Sequence, residues 1–141
     1  MEVIVRRAAR EEILPLRHAV LRPGLPLADA WFDGDDAPDT IHAGAFRAGA
    51  NVACVSLMAR PWRDAGWQLR GMATHPDVRG QRLGARLLRF VEDELRGALL
   101  WCNARVESAG FYAHHGWTVE SDEFDIPGVG PHVVMRREVP A

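Results

Sequence analysis

Residues 69–85 have the sequence LRGMATHPDVRGQRLGA, which divides into an apolar strand, a turn and a helix start flanked by glycines. No acidic residue follows Asp77 in this stretch. Backbone N–H groups in the first turn of a helix have no partner within the helix, so with the helix dipole they form an anion site that often holds pyrophosphate. Glycine turns also precede many helices without this function. The stretch predicts a phosphate-bearing cofactor and leaves an ordinary structural turn open.

The residues that follow predict an amphipathic helix. Apolar side chains recur with the 3.6-residue period of one helical face, and most of the charged side chains fall on the opposite face. This helix therefore packs one side against a core. The apolar positions are Leu83, Leu87, Leu88, Val91 and Leu95.

Further elements on both sides of this helix predict the fold class. A strand before the helix and an apolar strand after it imply one parallel strand–helix–strand crossover, which should be right-handed. Short glycine-bearing connections elsewhere imply antiparallel hairpins. We expect a mixed α/β (α+β) fold with a largely antiparallel central sheet and helices on both faces. The predicted strands are residues 3–7, 41–47, 51–58, 67–73, 98–104, 117–120 and 132–137; further helices are residues 10–21 and 108–115, with a loop at 22–39 that includes a short helix near 27–32.

Composition restricts the classes of function. The 141 residues suit one domain, residues 1–141, and 48% hydrophobic residues suffice for a core. All 17 basic residues are arginines and the net charge is −2, so no basic face for nucleic acid is indicated. No apolar run approaches the roughly 20 residues of a membrane span, and the N-terminus does not resemble a signal peptide. We expect a cytoplasmic protein that binds neither nucleic acid nor membranes.

The cysteines and histidines do not suggest a metal site. Cys54 and Cys102 both lie in apolar, strand-like segments, where buried free thiols are expected, although a disulfide stays open. The six histidines are scattered and show no ligand spacing. The sequence therefore predicts no bound metal.

Two segments resemble a known family. The segment RGQRLG at residues 79–84 is similar to the pattern R/Q-x-x-G-x-G/A at a helix start, and FYAHHGW at residues 111–117 is similar to F-Y-x-x-x-G-F. With the order of elements, they make nearly the whole chain resemble the GNAT superfamily of acyl-CoA-dependent N-acetyltransferases. Arg82 stands where the pattern has its first glycine, which is tolerable if that residue has ordinary helical dihedral angles.

The resemblance implies a site for acetyl-CoA between the strand that ends at Ala73 and the strand that ends at Asn103. It also implies that Tyr112, the single tyrosine, protonates the departing CoA thiolate, and that an N–H near Met72 or Ala73 stabilises the oxyanion. Core packing stays open for these residues, as does strand termination for Asn103. The implied cofactor-binding residues are Met72, Ala73 and Thr74 for pantetheine; the backbone of Arg79, Gly80, Gln81, Arg82, Leu83, Gly84 and Ala85 for pyrophosphate; and Asn103 for the CoA amides.

Two parts of the mechanism stay open in the sequence. The general base has four candidates, Glu107, His75, His42 and His132. The acidic loop at residues 33–36 either attracts a cationic amine or is a solvated turn. Because no partner base is evident for Cys102, direct transfer without an acetyl-cysteine is favoured.

The favoured function is acetyl transfer from acetyl-CoA to a primary amine of a small molecule or peptide. The alternative is a non-catalytic domain that binds an acyl-CoA as a sensor or structural ligand. A nucleotide enzyme is disfavoured because the chain has neither a G-x-x-x-x-G-K-[ST] loop nor any lysine. A homodimer is possible, and the sequence does not decide the oligomeric state.

Overall fold

The computed structural model describes residues 2–141, over which strands and helices follow the predicted order. The pairs β1/β2, β2/β3, β5/β8, β6/β8 and β7/β8 are antiparallel, and β4/β5 is parallel. The mixed α/β, mostly antiparallel fold is therefore confirmed. The strands are β1 (Val3–Arg7), β2 (Ile41–Arg47), β3 (Ala50–Met58), β4 (Trp67–Thr74), β5 (Leu99–Arg105), β6 (Thr118–Val119), β7 (Phe124–Ile126) and β8 (Gly130–Glu138), and the helices are α1 (Arg10–Leu21), α2 (Leu83–Glu94) and α3 (Ala109–His114).

The chain forms two compact units, and unit 1 comprises residues 2–58 and 69–94. Its strands are hydrogen-bonded in the order β1-β2-β3-β4, and it also contains α1 and α2. At the start of α1 the Ala9 N–H donates to the Glu12 carboxylate at 2.8 Å, which satisfies one of the free amides of the first turn. One core cluster of the unit joins α1 to the strands through Ile13, Leu16, Cys54 and Ala73.

Helix α2 confirms the predicted amphipathic pattern at four of its five apolar positions, but the fifth, Leu95, lies just beyond the end of the helix at Glu94 and is half-buried. It begins at Leu83, as expected from the periodicity, and no acidic residue lies in its first turn. The apolar face is buried because residues three and four apart project on one side of a helix. The buried apolar residues are Leu83, Leu87, Leu88 and Val91.

Unit 2 comprises residues 59–68 and 95–141. Its longest strand, β8, pairs with β5 on one side and with β6 and β7 on the other, since His132 is opposite both Arg105 and Phe124. The first residues of β4 pair with β5 at Trp67–Leu100 and Gln68–Trp101. Ala65, Trp101 and Val134 form a core cluster of this unit.

Two predictions about loops need correction. The loop expected between residues 120 and 132 contains the extra strand β7, whose three residues are too few to show the alternation that identifies a strand. The short helix expected near residues 27–32 is a 3-10 turn over Leu27–Ala30.

The described residues bear on three other expectations. Cys54 and Cys102 are both buried and free, so the disulfide alternative is wrong. Over residues 2–141, no helix has the length and apolar character needed to cross a membrane. Within the same range no group of three or more His, Cys, Asp or Glu side chains is arranged to hold a metal ion.

Candidate active site

The turn before α2 presents a group of backbone donors without protein acceptors. Within residues 80–85 the Gln81 N–H closes the turn at residues 79–80, and the other five N–H groups make no hydrogen bond within the described residues. The carbonyl of Arg82 accepts the first helical bond from Arg86 N–H at 3.1 Å, so Arg82 is the N-cap of α2. We call residues 80–85 the open turn. Its N–H groups and the positive end of α2 suit a multiply charged anion.

Arg82 has a left-handed backbone, with φ of +61°. The expectation that this position has ordinary helical dihedral angles is therefore wrong. The left-handed region costs a residue with a Cβ about 1–2 kcal/mol relative to the right-handed helix, and glycine avoids this cost. The dihedral angle explains why the family pattern has glycine where this chain has an arginine.

The C-terminal end of β4 leads into the open turn. The parallel pairing of β4 ends at Gln68, six residues before the strand ends at Thr74. The Ala73 side chain is buried in the core cluster of unit 1, so the packing role left open for it is confirmed. Beyond the strand, Arg79 folds back and its Nε donates to the Thr74 carbonyl at 3.3 Å.

Gly71 in the middle of β4 is a feature that strand periodicity does not predict. Its φ is +67°, and a Cβ at this position would lie 3.0 Å from Arg17 Nε and 3.2 Å from the Phe32 ring. The glycine therefore allows β4 to approach these two side chains. Strand β4 nevertheless continues through Gly71 to Thr74.

In unit 2, Tyr112 is buried among aromatic side chains. Its ring is 5.2 Å from that of Phe111 and 5.4 Å from that of Trp117, measured between centroids. The residue is 6% exposed. Burial, and secondly the neighbouring Cys102, raises the pKa of Tyr112 above its usual value of 10.0. The phenol is consequently protonated throughout the physiological pH range.

Asn103 differs from its neighbours in β5. Its side chain is exposed, whereas Cys102 and Ala104 on either side are buried. The strand continues to Arg105, and Asn103 pairs with Val134 of β8. The strand-termination alternative for Asn103 is therefore wrong, since the residue lies inside the strand.

Two of the three carboxylates of the acidic loop at residues 33–36 form ion pairs within unit 1. Asp35 is buried, and both its carboxylate oxygens accept hydrogen bonds from Arg17, at 2.7 and 3.1 Å. Asp36 pairs with Arg10. The loop is therefore not simply a solvated acidic turn, and two of its carboxylates already have cationic partners.

Arg17 and Asp35 belong to a larger buried set that we call the charged network. Arg17 donates to the Ser56 hydroxyl at 2.9 Å, and that hydroxyl lies 2.6 Å from His42 Nδ1. His42 Nε2 lies 3.0 Å from the Asp35 carbonyl, so Nε2 carries the proton and Nδ1 accepts from Ser56. Because both ring nitrogens are bonded, His42 has no free lone pair for use as a base.

The other three candidate bases differ in their burial and in the hydrogen bonds that their side chains make. His75 Nδ1 accepts the Asp77 N–H at 3.0 Å and the residue caps a short turn, while Glu107 is exposed. His132 is buried, and its Nδ1 lies 2.7 Å from the Gly130 carbonyl. A carbonyl can only accept, so Nδ1 carries a proton, and in the neutral imidazole the lone pair is therefore on Nε2. Among the four candidates, His132 combines burial with an uncommitted ring nitrogen.

Comparison with known proteins establishes the family. Residues 38–119 match the model of the acetyltransferase (GNAT) domain. The sequence is also 34% identical over 138 residues to YitI of Bacillus subtilis (strain 168), an uncharacterized N-acetyltransferase, with 93% of each chain covered. The chain belongs to the GNAT family of acetyltransferases. The resemblance carried by the two sequence segments is thus confirmed.

Solved structures agree with this GNAT membership at the level of the fold. ElaA of Escherichia coli superposes with a TM-score of 0.83 at 17% identity, covering 97% of this chain and 100% of ElaA. An aminoglycoside 6'-N-acetyltransferase complexed with coenzyme A gives a TM-score of 0.72 at 15% identity, covering 98% of each chain. The mixed α/β architecture is therefore that of GNAT proteins.

Proposed function

We propose that this GNAT protein transfers the acetyl group of acetyl-CoA to a primary amine of a small molecule or peptide. The observation that carries the proposal is the open turn, where five of the six N–H groups of residues 80–85 make no hydrogen bond within the described residues. Members of the family use acyl-CoA donors, and an anion with several oxygens is the ligand that such a turn suits. The absence of acidic side chains from the first turn of α2 favours the same ligand.

Each part of unit 1 has a distinct role in binding the donor. The backbone of the open turn receives the pyrophosphate, which explains why Arg82 can replace a glycine without removing a donor. Arg79, exposed and with only its Nε bonded to Thr74, can add a charge-assisted hydrogen bond. The backbone of Met72, Ala73 and Thr74 binds pantetheine in the manner of an added strand, while the Ala73 side chain packs in the core.

Residues of unit 2 complete the proposed machinery. Tyr112 supplies the proton that the departing thiolate needs, and its raised pKa keeps that proton in place at neutral pH. Asn103, exposed on β5, offers its amide to the CoA amides. His132 is the proposed base, because its Nε2 lone pair can accept a proton from the attacking amine.

The transfer itself balances with these two residues. The amine nitrogen bonds to the acetyl carbon as the carbon–sulfur bond breaks, with a backbone N–H near Met72 or Ala73 stabilising the carbonyl oxygen. The amine proton goes to His132, and Tyr112 gives its proton to sulfur. Afterwards His132 releases a proton to water and the tyrosinate takes one back, which restores both residues. A covalent acetyl-cysteine is not part of the proposal, since burial raises the pKa of Cys54 and Cys102 to about 12.

The test measures free CoA with acetyl-CoA and a broad panel of amines, alongside mass spectrometry of the acceptors. The wild-type protein should release CoA and acetylate at least one amine, while Tyr112→Phe should lower kcat about a hundredfold with CoA affinity unchanged. His132→Asn, which keeps the hydrogen bond to Gly130, should lower kcat for alkylamines and spare amines that are already neutral. Full turnover by Tyr112→Phe would exclude the acid role. CoA binding without turnover on any amine would instead indicate the non-catalytic alternative.

A further inference from the structure

Three guanidinium groups of unit 1 lie around one aromatic ring, that of Phe32. The guanidinium carbons of Arg17, Arg70 and Arg22 lie 4.1, 4.3 and 5.7 Å from the centroid of the Phe32 ring. They come from separate parts of the chain: Arg17 from α1, Arg22 from just after it and Arg70 from β4. We call these three residues the arginine cluster.

Part of the charge of the cluster is already balanced within the chain. Asp35 directs both carboxylate oxygens to Arg17, and one of them also accepts the Phe32 N–H at 2.8 Å. Arg22, Arg70 and Asp33 each make a further interaction within the chain. The three guanidinium groups therefore lie around one ring, with the Asp35 carboxylate on Arg17.

The surroundings strengthen the attraction of this cluster for an anion. Arg17 is fully buried, and Arg22, Phe32 and Arg70 are half-buried, so their charges are screened less than those on an open surface. A cation–π contact stabilises each arginine by about 0.5–1 kcal/mol at exposed sites, but it does not neutralise charge. An anion that binds here gains attraction and relieves repulsion between guanidinium groups.

The position of Arg70 relates the cluster to the proposed chemistry. Arg70 precedes Met72 by two residues on β4. Gly71 lies between them, and its missing Cβ is what lets β4 approach Arg17 and Phe32. A small molecule can therefore span from the arginine cluster to the backbone that is proposed to hold the thioester.

We infer that the acceptor is a small amine that also carries a carboxylate, and that Arg70 and Arg22 bind this carboxylate beside the Phe32 ring. This inference rests on the proposed acetyltransferase function and names the class of its substrate. Guanidinium groups suit the assignment because they bind carboxylates through paired, charge-assisted hydrogen bonds. It also disfavours the alternative that the acidic loop attracts a cationic amine, since the carboxylates of Asp35 and Asp36 are already paired.

The test compares amines that differ only in the carboxylate. Each standard amino acid is assayed beside its decarboxylated amine, as in histidine with histamine, tryptophan with tryptamine and lysine with cadaverine, by CoA release and mass spectrometry. For at least one pair the carboxylated member should have a kcat/KM at least about tenfold higher. Arg70→Gln should lower that ratio through KM, and Arg70→Lys should restore part of it. Arg89→Gln, an exposed arginine of α2, is the matched control and should leave the ratio unchanged.

Two results would overturn the inference, and they are distinguishable. Acetylation that favours the decarboxylated members, or a ratio that Arg70→Gln does not change, would refute the carboxylate site and leave the acetyltransferase intact. CoA release with no amine of either kind would contradict the proposed function itself. Folding of each variant is checked by circular dichroism, and Arg70→Lys separates loss of charge from loss of packing.

Discussion

The charged network and the open turn are both polar parts of unit 1, but they use their hydrogen bonds in opposite ways. In the network, Arg17, Asp35, Ser56 and His42 are buried and bond to one another, apart from Arg17 Nε, which has no acceptor. In the open turn, five of the six backbone donors make no hydrogen bond within the part of the chain that the structure describes.

The contrast separates polar groups that maintain the fold from those available to a ligand. Buried polar groups must be paired because an unpaired one costs about 1–3 kcal/mol, and more if charged. Exposed donors bear no such cost in water, so they can remain open until an anion binds. Removing a partner should therefore unfold the network, whereas changes in the open turn should alter binding and leave stability nearly unchanged.

The largest expected effect comes from Asp35→Asn. It leaves the fully buried Arg17 without its carboxylate, and removal of one partner of a buried pair costs about 3–5 kcal/mol. Urea denaturation should show this loss. Asp36→Asn is the matched control, since its pair with Arg10 is exposed on the Asp36 side and contributes at most about 1 kcal/mol. Equal losses in the two variants would show that the network is not the structural element described here.

Alkaline pH should weaken the fold through its two buried cysteines. Burial raises the pKa of Cys54 from 9.0 to about 12, outweighing the nearby Arg17 charge, and it raises the pKa of Cys102 equally. Because the pKa of these thiols is higher in the folded than in the unfolded state, keeping them protonated contributes to the free energy of unfolding. This contribution is complete below pH 9 and is lost as pH rises towards 12. Thermal denaturation from pH 8 to 11 should show stability falling above pH 9, and less steeply in Cys54→Ala. A flat profile would contradict the burial of these thiols.

The smallest expected effect is on Arg82. Arg82→Gly removes a cost of about 1–2 kcal/mol for the left-handed backbone, and the flexibility of glycine in the unfolded chain offsets part of this gain. The free energy of unfolding should rise by up to about 1 kcal/mol. The same substitution at Arg89, within α2 and exposed, should instead lower it by about 1 kcal/mol. Destabilisation by both substitutions would contradict the left-handed conformation at Arg82.

Sequence patterns predict those features of the fold and site that are contiguous or periodic along the chain. The start of α2 and its buried face follow from residues spaced three and four apart, and the motif with Tyr112 is contiguous. Arg17 falls on the apolar face of α1, which is a signal of a buried charge. Its partners, however, lie 18 and 39 positions further along the chain, and no local pattern pairs residues so far apart.

The sequence also does not predict individual backbone dihedral angles or histidine tautomers. The left-handed angles of Gly71 and Arg82 depend on packing and on the direction in which the chain enters α2. His132 could be distinguished from the other candidate bases once the partner of its Nδ1 was known. Strand β7 is not predicted because a strand of three residues is too short to show an alternating pattern.

The most direct test of the open turn as the donor site is the dissociation constant of CoA, measured by calorimetry for the wild type, Ala85→Glu and Ala85→Gln. Ala85 is the third residue of α2. A carboxylate there interacts favourably with the helix dipole, by about 0.3–1 kcal/mol, yet repels a phosphate. Stoichiometric CoA binding by the wild type is expected, with affinity at least about tenfold weaker in Ala85→Glu, nearly unchanged in Ala85→Gln, and stability undiminished in Ala85→Glu. Absence of wild-type binding, or equal affinity in all three proteins, would contradict the account.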